Sequence, residues 1–297
     1  MRNILAWLLN DWDITELHPY HTDITECRLY ADAFTIYHLI YAVVIIGGIV
    51  GAAIGLHYAS PKIKKRVLDI LPFIVIGLYI SDLFLRPIAK LEGDFSQSIS
   101  GYLDKLPFHI CTSMGIVCVF AQHSKKLQKF KGPFVILSIV GPLMYIVAPI
   151  GVFGTNHPFS YNTMQTIAFH AFLMAWGVLS ITTGEVKVSI KNWYKTLAIQ
   201  GILFGWGLFG NILYSDMSSV EAWYETGYDW FFIKSGAFSI AEGKLWYAIV
   251  APIAVFIGIY CVALMVYGCA HLGYYIANKA KSSKAKKEDK KKETSNV

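Results

Sequence analysis

Cys111 is the residue whose type and setting could do chemistry most directly. It follows Leu106-Pro107-Phe108-His109-Ile110, where an apolar stretch begins. A proline in the first turn of a helix sacrifices no hydrogen bond. A helix is therefore predicted from about Leu106, with the Phe108 and His109 amides lacking intrahelical acceptors. A thiol just past that positive helix end is favoured in its thiolate form. His109 lies two residues from Cys111 and so on another helix face. A base has to come from a second helix, and His170 sits at the matching depth. A cysteine with a histidine is the minimum for acyl transfer through a thioester.

A wider polar set shares that layer. At about 1.5 Å per residue from the outer helix ends, His38, Asp82, His109, Cys111, Gln165 and His170 fall roughly 5–9 Å below one membrane face. Asn211, Tyr214, Glu242, Trp246 and Tyr247 stand at the same end. A charge at mid-helix costs about 2.5–3.5 kcal/mol on insertion scales, so buried polar groups suggest function. One polar cavity open to the outer face or outer leaflet is expected. Cys111 and His170 are its catalytic candidates, and His109, Asp82, Arg86, Asn211 and Tyr214 its substrate-binding candidates. Plainer readings stand beside these. Asp82 and Arg86, four residues apart on one helix face, can form an intrahelical ion pair with Arg86 reaching toward water. Helix ends that meet water account for Asn211, Tyr214 and Glu242, and less well for His109, Cys111 and His170. His38, beside Tyr37 and Tyr41, reads as an interface residue. Cys118, Cys261 and Cys269 read as packing. No CxxC pair and no disulfide framework occur among the five cysteines, which include Cys27.

The elements that must position these groups are membrane helices. Of 297 residues 55% are hydrophobic and 15% charged, against about 25% charged in ordinary soluble domains. The mean hydropathy is +0.46. Several apolar runs reach the roughly 20 residues that cross a bilayer as a helix. The fold class is all-α, a polytopic membrane helix bundle. Seven spans are predicted at 35–57, 68–89, 106–122, 132–150, 164–183, 195–214 and 246–276. Loops and tail on one side carry 19 Lys and Arg, and the other side six. The positive-inside rule then puts the N-terminus outside and the C-terminus in the cytoplasm. Residues 1–34 form an outer segment with no apolar core of the signal-peptide kind. Residues 35–276 form the transmembrane domain. Residues 277–297 form a disordered tail with eight lysines, suited to anionic lipid headgroups. The long 215–245 connection, rich in Trp, Tyr and Phe, is either a lid over a site or an interfacial anchor.

The Leu106-Pro107-Phe108-His109-Ile110-Cys111 stretch resembles the signature of the YwaF / transmembrane protein 164 family. Gly141-Pro142-Leu143, Ala148-Pro149, Phe169-His170, Gly210-Asn211 and Trp246-Tyr247 are similar to later family motifs, and the likeness spans about residues 35–276. The resemblance implies a lipid acyltransferase that forms an acyl-cysteine, with Cys111 similar to the nucleophile and His170 to its histidine partner. Membrane lipids are the expected partners, no nucleic acid or cofactor is expected, and the plasma membrane of a bacterium is the expected location.

Two other classes stay open. A small-molecule or ion-coupled transporter would use His109, Asp82, Arg86 and His170 as a binding or relay set, although the inner halves of the spans look sparsely polar. A non-catalytic lipid-binding protein would need only the cavity. A retinal protein is excluded by the lack of a lysine within 246–276. His18 to Asp23 matches an HxxxxD acyltransferase spacing by letter, without its companion motifs. His18, His21 and Asp23 also offer metal-ligand chemistry, but no metal site is assigned.

Overall fold

A computed structural model describes residues 36–89, 106–147, 161–216, 218–219, 230–232 and 245–295. Side chains at 85–89, 161–162, 232 and 245–249, and most beyond Lys279, lie outside that description. The 1–34 segment, with His18, His21, Asp23 and Cys27, lies outside it as well. So do Glu242, the side chains of Arg86, Trp246 and Tyr247, and most of the 215–245 connection.

Seven α-helices are described: α1 Ile36–Tyr58, α2 Pro61–Ala89, α3 Ile110–His123, α4 Lys131–Val147, α5 Tyr161–Thr182, α6 Trp193–Leu213 and α7 Leu245–Ser295. No strand occurs among the described residues. Six of the helices are long and apolar enough to cross a membrane. The other, α3, has 14 residues, about 21 Å at 1.5 Å per residue, short of the roughly 30 Å hydrocarbon core. Its predicted first turn is absent because the chain bends at 106–109 instead. The final helix runs on to Ser295, where a disordered tail is expected above. Lys, Ala and Glu dominate that stretch and no Gly or Pro interrupts it, so helix propensity carries it outward.

The outer surface of the bundle is what a lipid solvent demands. Ile36, Leu39, Ile40, Val43, Val44, Ile46 and Val50 of α1 are all exposed, a patch no water-soluble domain would leave open. Cys261 and Cys269 of α7 are exposed too, which corrects their reading as core packing. Helix faces that meet lipid need no inward partner. Cys118 is buried, its thiol donating to the Gly115 carbonyl at 3.2 Å.

Helix α5 is the centre of the bundle and packs on α1, α2 and α4. Leu173, Trp176 and Leu179 on it are fully or nearly buried. Small residues let backbones approach. A Cβ at Gly177 would lie 2.6 Å from Ile139 and 3.0 Å from the Val135 carbonyl of α4, and one at Gly115 of α3 would lie 2.8 Å from the Phe169 ring of α5.

Polar links then set the register between helices. His38 Nε2 donates to the Ile146 carbonyl at 2.7 Å, one of the last four carbonyls of α4 that lack a helical donor. Thus His38 is a buried cap rather than an interface residue. At the end of the bundle away from Cys111, Gln122 Nε2 donates to Asp69 Oδ1 at 2.9 Å and to Glu185 Oε1 at 3.0 Å. The Trp176 indole donates to Gln122 Oε1 at 3.0 Å, and Lys131 pairs with Glu185. Thr196 and Gln200 of α6 reach Tyr267 and the Phe256 carbonyl of α7 at 2.7 and 2.8 Å. That half is less apolar than the sequence suggests. These polar groups bond across helix boundaries and so tie helices together.

Candidate active site

The start of α3 explains why Cys111 has an unusual backbone. In a helix beginning at Leu106, the Pro107 carbonyl would accept from the Cys111 amide. Here it accepts from the Ser113 hydroxyl at 2.6 Å and the Trp206 indole at 3.0 Å. The Phe108 amide donates to Leu106 at 2.7 Å, and the first helical bond runs from Ser113 N to the His109 carbonyl. The Phe108 amide is therefore paired, where the sequence suggests an unpaired one. The amides of Ile110, Cys111 and Thr112 have no acceptor among the described residues. Three N–H groups at a helix start make a positive end suited to an anion.

The thiol of Cys111 is seated against α4. A Cβ at Gly141 would fall 2.6 Å from Sγ and 3.2 Å from Ile110 Cγ2, so only glycine leaves room for the sulfur. Pro142 follows within the helix; it has no amide to give the Ser138 carbonyl. One turn beyond Gly141, on the same face of α4, stands Tyr145 with its phenol hydroxyl. That hydroxyl is buried and has no hydrogen-bond partner among the described residues.

His170 approaches from α5. Its ring stacks on Tyr145, centroids 4.0 Å apart and planes 4° from parallel. Nδ1 lies 2.7 Å from the Thr166 carbonyl. A carbonyl only accepts, so Nδ1 carries the proton and Nε2 of the neutral ring is the accepting nitrogen. No hydrogen bond joins Cys111 to His170 among the described residues. Tyr145 relates them: its ring stacks on His170, and it stands one turn past the glycine against which the Cys111 sulfur rests. Sequence reasoning missed Tyr145. The signal was Gly141 and Tyr145 four residues apart, a gap and a phenol on one helical face.

The other candidates build the cover of this site. The Asn211 side chain grips the Trp230 backbone twice: Nδ2 donates to the carbonyl at 2.9 Å, and Oδ1 accepts from the amide at 2.8 Å. His109 Nδ1 accepts from the Phe231 amide at 3.2 Å. Phe231 adopts φ 69°, a left-handed conformation uncommon for a bulky residue. Trp230 and Phe231 are 0% and 4% exposed. Gly207 and Gly210 give their rings and Phe108 a seat: a Cβ there would fall 2.5 Å from Phe231 and 2.6 Å from Phe108. Phe108 lies 4.6 Å from Trp230 and 4.7 Å from Trp206, and Tyr214 packs on both Phe108 and Trp230. Among the described residues, an aromatic plug thus packs the start of α3 against the end of α6, where polar groups lining an open cavity were expected. The Nδ2 and Oδ1 of Asn211, expected to bind substrate, both hold the backbone of this plug.

Asp82 is buried on α2 and engaged. Gln165 of α5 donates to the Leu78 carbonyl one turn away at 2.9 Å. Arg86 continues α2 in backbone only, so its pairing with Asp82 lies outside the described residues. No cluster of three metal-ligating side chains occurs among the described residues.

Residues 30–266 match the model of the TMEM164 family, well over half of the chain. No curated protein and no solved structure matches it.

Proposed function

The chain belongs to the TMEM164 family of multi-pass membrane proteins, and on that premise we propose that it is a lipid acyltransferase or hydrolase that carries the acyl group on Cys111. One observation carries the reading. The Cys111 thiol sits over Gly141 beside first-turn amides that lack acceptors, and one turn further along that helix face Tyr145 stacks on an imidazole whose Nδ1 is already committed. Apolar enclosure favours uncharged partners at rest. The thiol therefore loses its proton as the new bond forms, rather than waiting as a thiolate.

In the first half-reaction Sγ attacks the ester carbonyl of a phospholipid, and His170 Nε2 takes the thiol proton. The Ile110, Cys111 and Thr112 amides stabilise the oxyanion. The ester C–O bond breaks and the lysolipid alkoxide leaves with the proton from His170. In the second half, an alcohol or water attacks the thioester with His170 again as base, and the thiol is restored. A bound ester closes the gap between Cys111 and His170, since catalytic contacts commonly tighten on binding. The charge bias of the loops supports an outward-facing site, and the bonded Asp69–Gln122–Glu185 network at the other end gives a through-pathway little support.

Membranes bearing the full chain, incubated with phosphatidylcholine and phosphatidylethanolamine carrying an alkyne-tagged acyl chain, test this. The expected result is a hydroxylamine-labile label on Cys111, absent in Cys111→Ala at normal expression and slower to form in His170→Ala. Wild-type protein without label on Cys111 would sink the reading.

A further inference from the structure

The Tyr145 hydroxyl has no task in the fold. It is buried, and no described residue hydrogen-bonds to it, although leaving a buried hydroxyl unpaired is costly. Its ring is held by the stack on His170, at 4.0 Å and 4°. A face-to-face stack sets the imidazole nitrogens over the phenol ring, out of line with its O–H, so the hydroxyl does not donate to His170. Gly141, one turn earlier on the same face, is where Cys111 Sγ rests. Tyr145 and the seat of the Cys111 sulfur thus share one face of α4, while the unpaired amides belong to the first turn of α3, at the cysteine itself.

We propose that the Tyr145 hydroxyl donates a hydrogen bond to the oxyanion formed when Cys111 attacks an acyl carbonyl, so that α3 supplies the backbone donors and α4 the side-chain donor. This rests on the acyl-cysteine reading above. The Sγ–C bond forms, the carbonyl π pair moves onto oxygen, and Tyr145 donates to that oxygen while keeping its proton. On collapse the ester C–O bond breaks, and the alkoxide leaves with the proton that His170 took from the thiol. The phenol thus finds its missing acceptor only in the tetrahedral state, which makes the contact specific to the transition state. Sequence reading reaches the thiol but not this side-chain donor.

The test uses the full chain in nanodiscs, with p-nitrophenyl butyrate as acyl donor and iodoacetamide as alkylating control. Alkylation builds no oxyanion. Tyr145→Phe removes one oxygen and keeps the stack. It should slow acylation of Cys111 about 100-fold, the loss typical of an oxyanion donor, with KM little changed and alkylation at the wild-type rate. Fluorotyrosines at position 145 keep the shape if the phenylalanine variant fails to fold. Acylation should then vary with phenol acidity while alkylation stays flat. Three results overturn the proposal: wild-type acylation in Tyr145→Phe, acylation indifferent to phenol acidity, or alkylation falling in parallel with acylation. Wild-type protein that is never acylated on Cys111 overturns the acyl-cysteine reading as well, whereas those three leave it standing.

Discussion

Gly141→Ala would put a methyl carbon 2.6 Å from Cys111 Sγ and 3.2 Å from Ile110 Cγ2. Favourable heavy-atom contacts begin near 3.5 Å, so the sulfur has to retreat by about 1 Å. Overpacking of this kind costs about 1–3 kcal/mol. Alanine is the better helix former by about 1 kcal/mol, which offsets part of it. A net loss of about 0–2 kcal/mol follows, read as a small fall in Tm in detergent. Chemistry should suffer more than stability, because a misplacement of about 1 Å in a reacting group costs on the order of 100-fold in rate. The decisive measurement is a double-mutant cycle. In a Cys111→Ala background the methyl meets no sulfur, and only the Ile110 contact remains. The stability penalty of Gly141→Ala should then shrink by about 1 kcal/mol, within the range for residues in contact. An equal penalty in both backgrounds, together with wild-type acylation in Gly141→Ala, would refute the contact between α3 and α4 on which the seat of Cys111 depends.

Asn211→Leu should orphan the buried Trp230 amide and carbonyl and loosen the aromatic plug, lowering stability by about 2–4 kcal/mol. Maleimide should then reach Cys111 faster, and an unchanged labelling rate would mean the plug does not cover it. Gln122→Leu should cost about 2–4 kcal/mol in thermal unfolding, because Trp176, Asp69 and Glu185 each lose a partner; a neutral result would show that water replaces the amide. Single cysteines placed at 62–66, 125–131 or 187–195 should be shielded from an impermeant thiol reagent in intact cells, since those loops carry the positive excess. Their labelling without permeabilisation would reverse the orientation and move the site to the cytoplasmic side.

Sequence alone determined the solvent and the class of fold. Long apolar runs with few charges have one stable arrangement in lipid, because each backbone group must be satisfied within its own helix. Local chemistry was legible in part: Cys111 does lie in a first helical turn, but that helix begins at Ile110 rather than at Leu106. What sequence could not settle was which carbonyls compete for which amides. The indole of Trp206, 99 residues from Pro107 in the chain, takes the carbonyl that would have paired with Cys111, and so leaves the Cys111 amide unpaired, while the Phe108 amide bonds to Leu106. Asn211 looked like a polar helix end, yet its partner is the Trp230 backbone 19 residues on. Tyr145 looked like one more aromatic in an apolar span. Only the packing of α3 and α5 against α4 puts a thiol one turn from it and its ring on an imidazole. Composition and period act along the chain, whereas hydrogen-bond competition and close packing act between segments far apart in it, and those contacts decide the chemistry of the site.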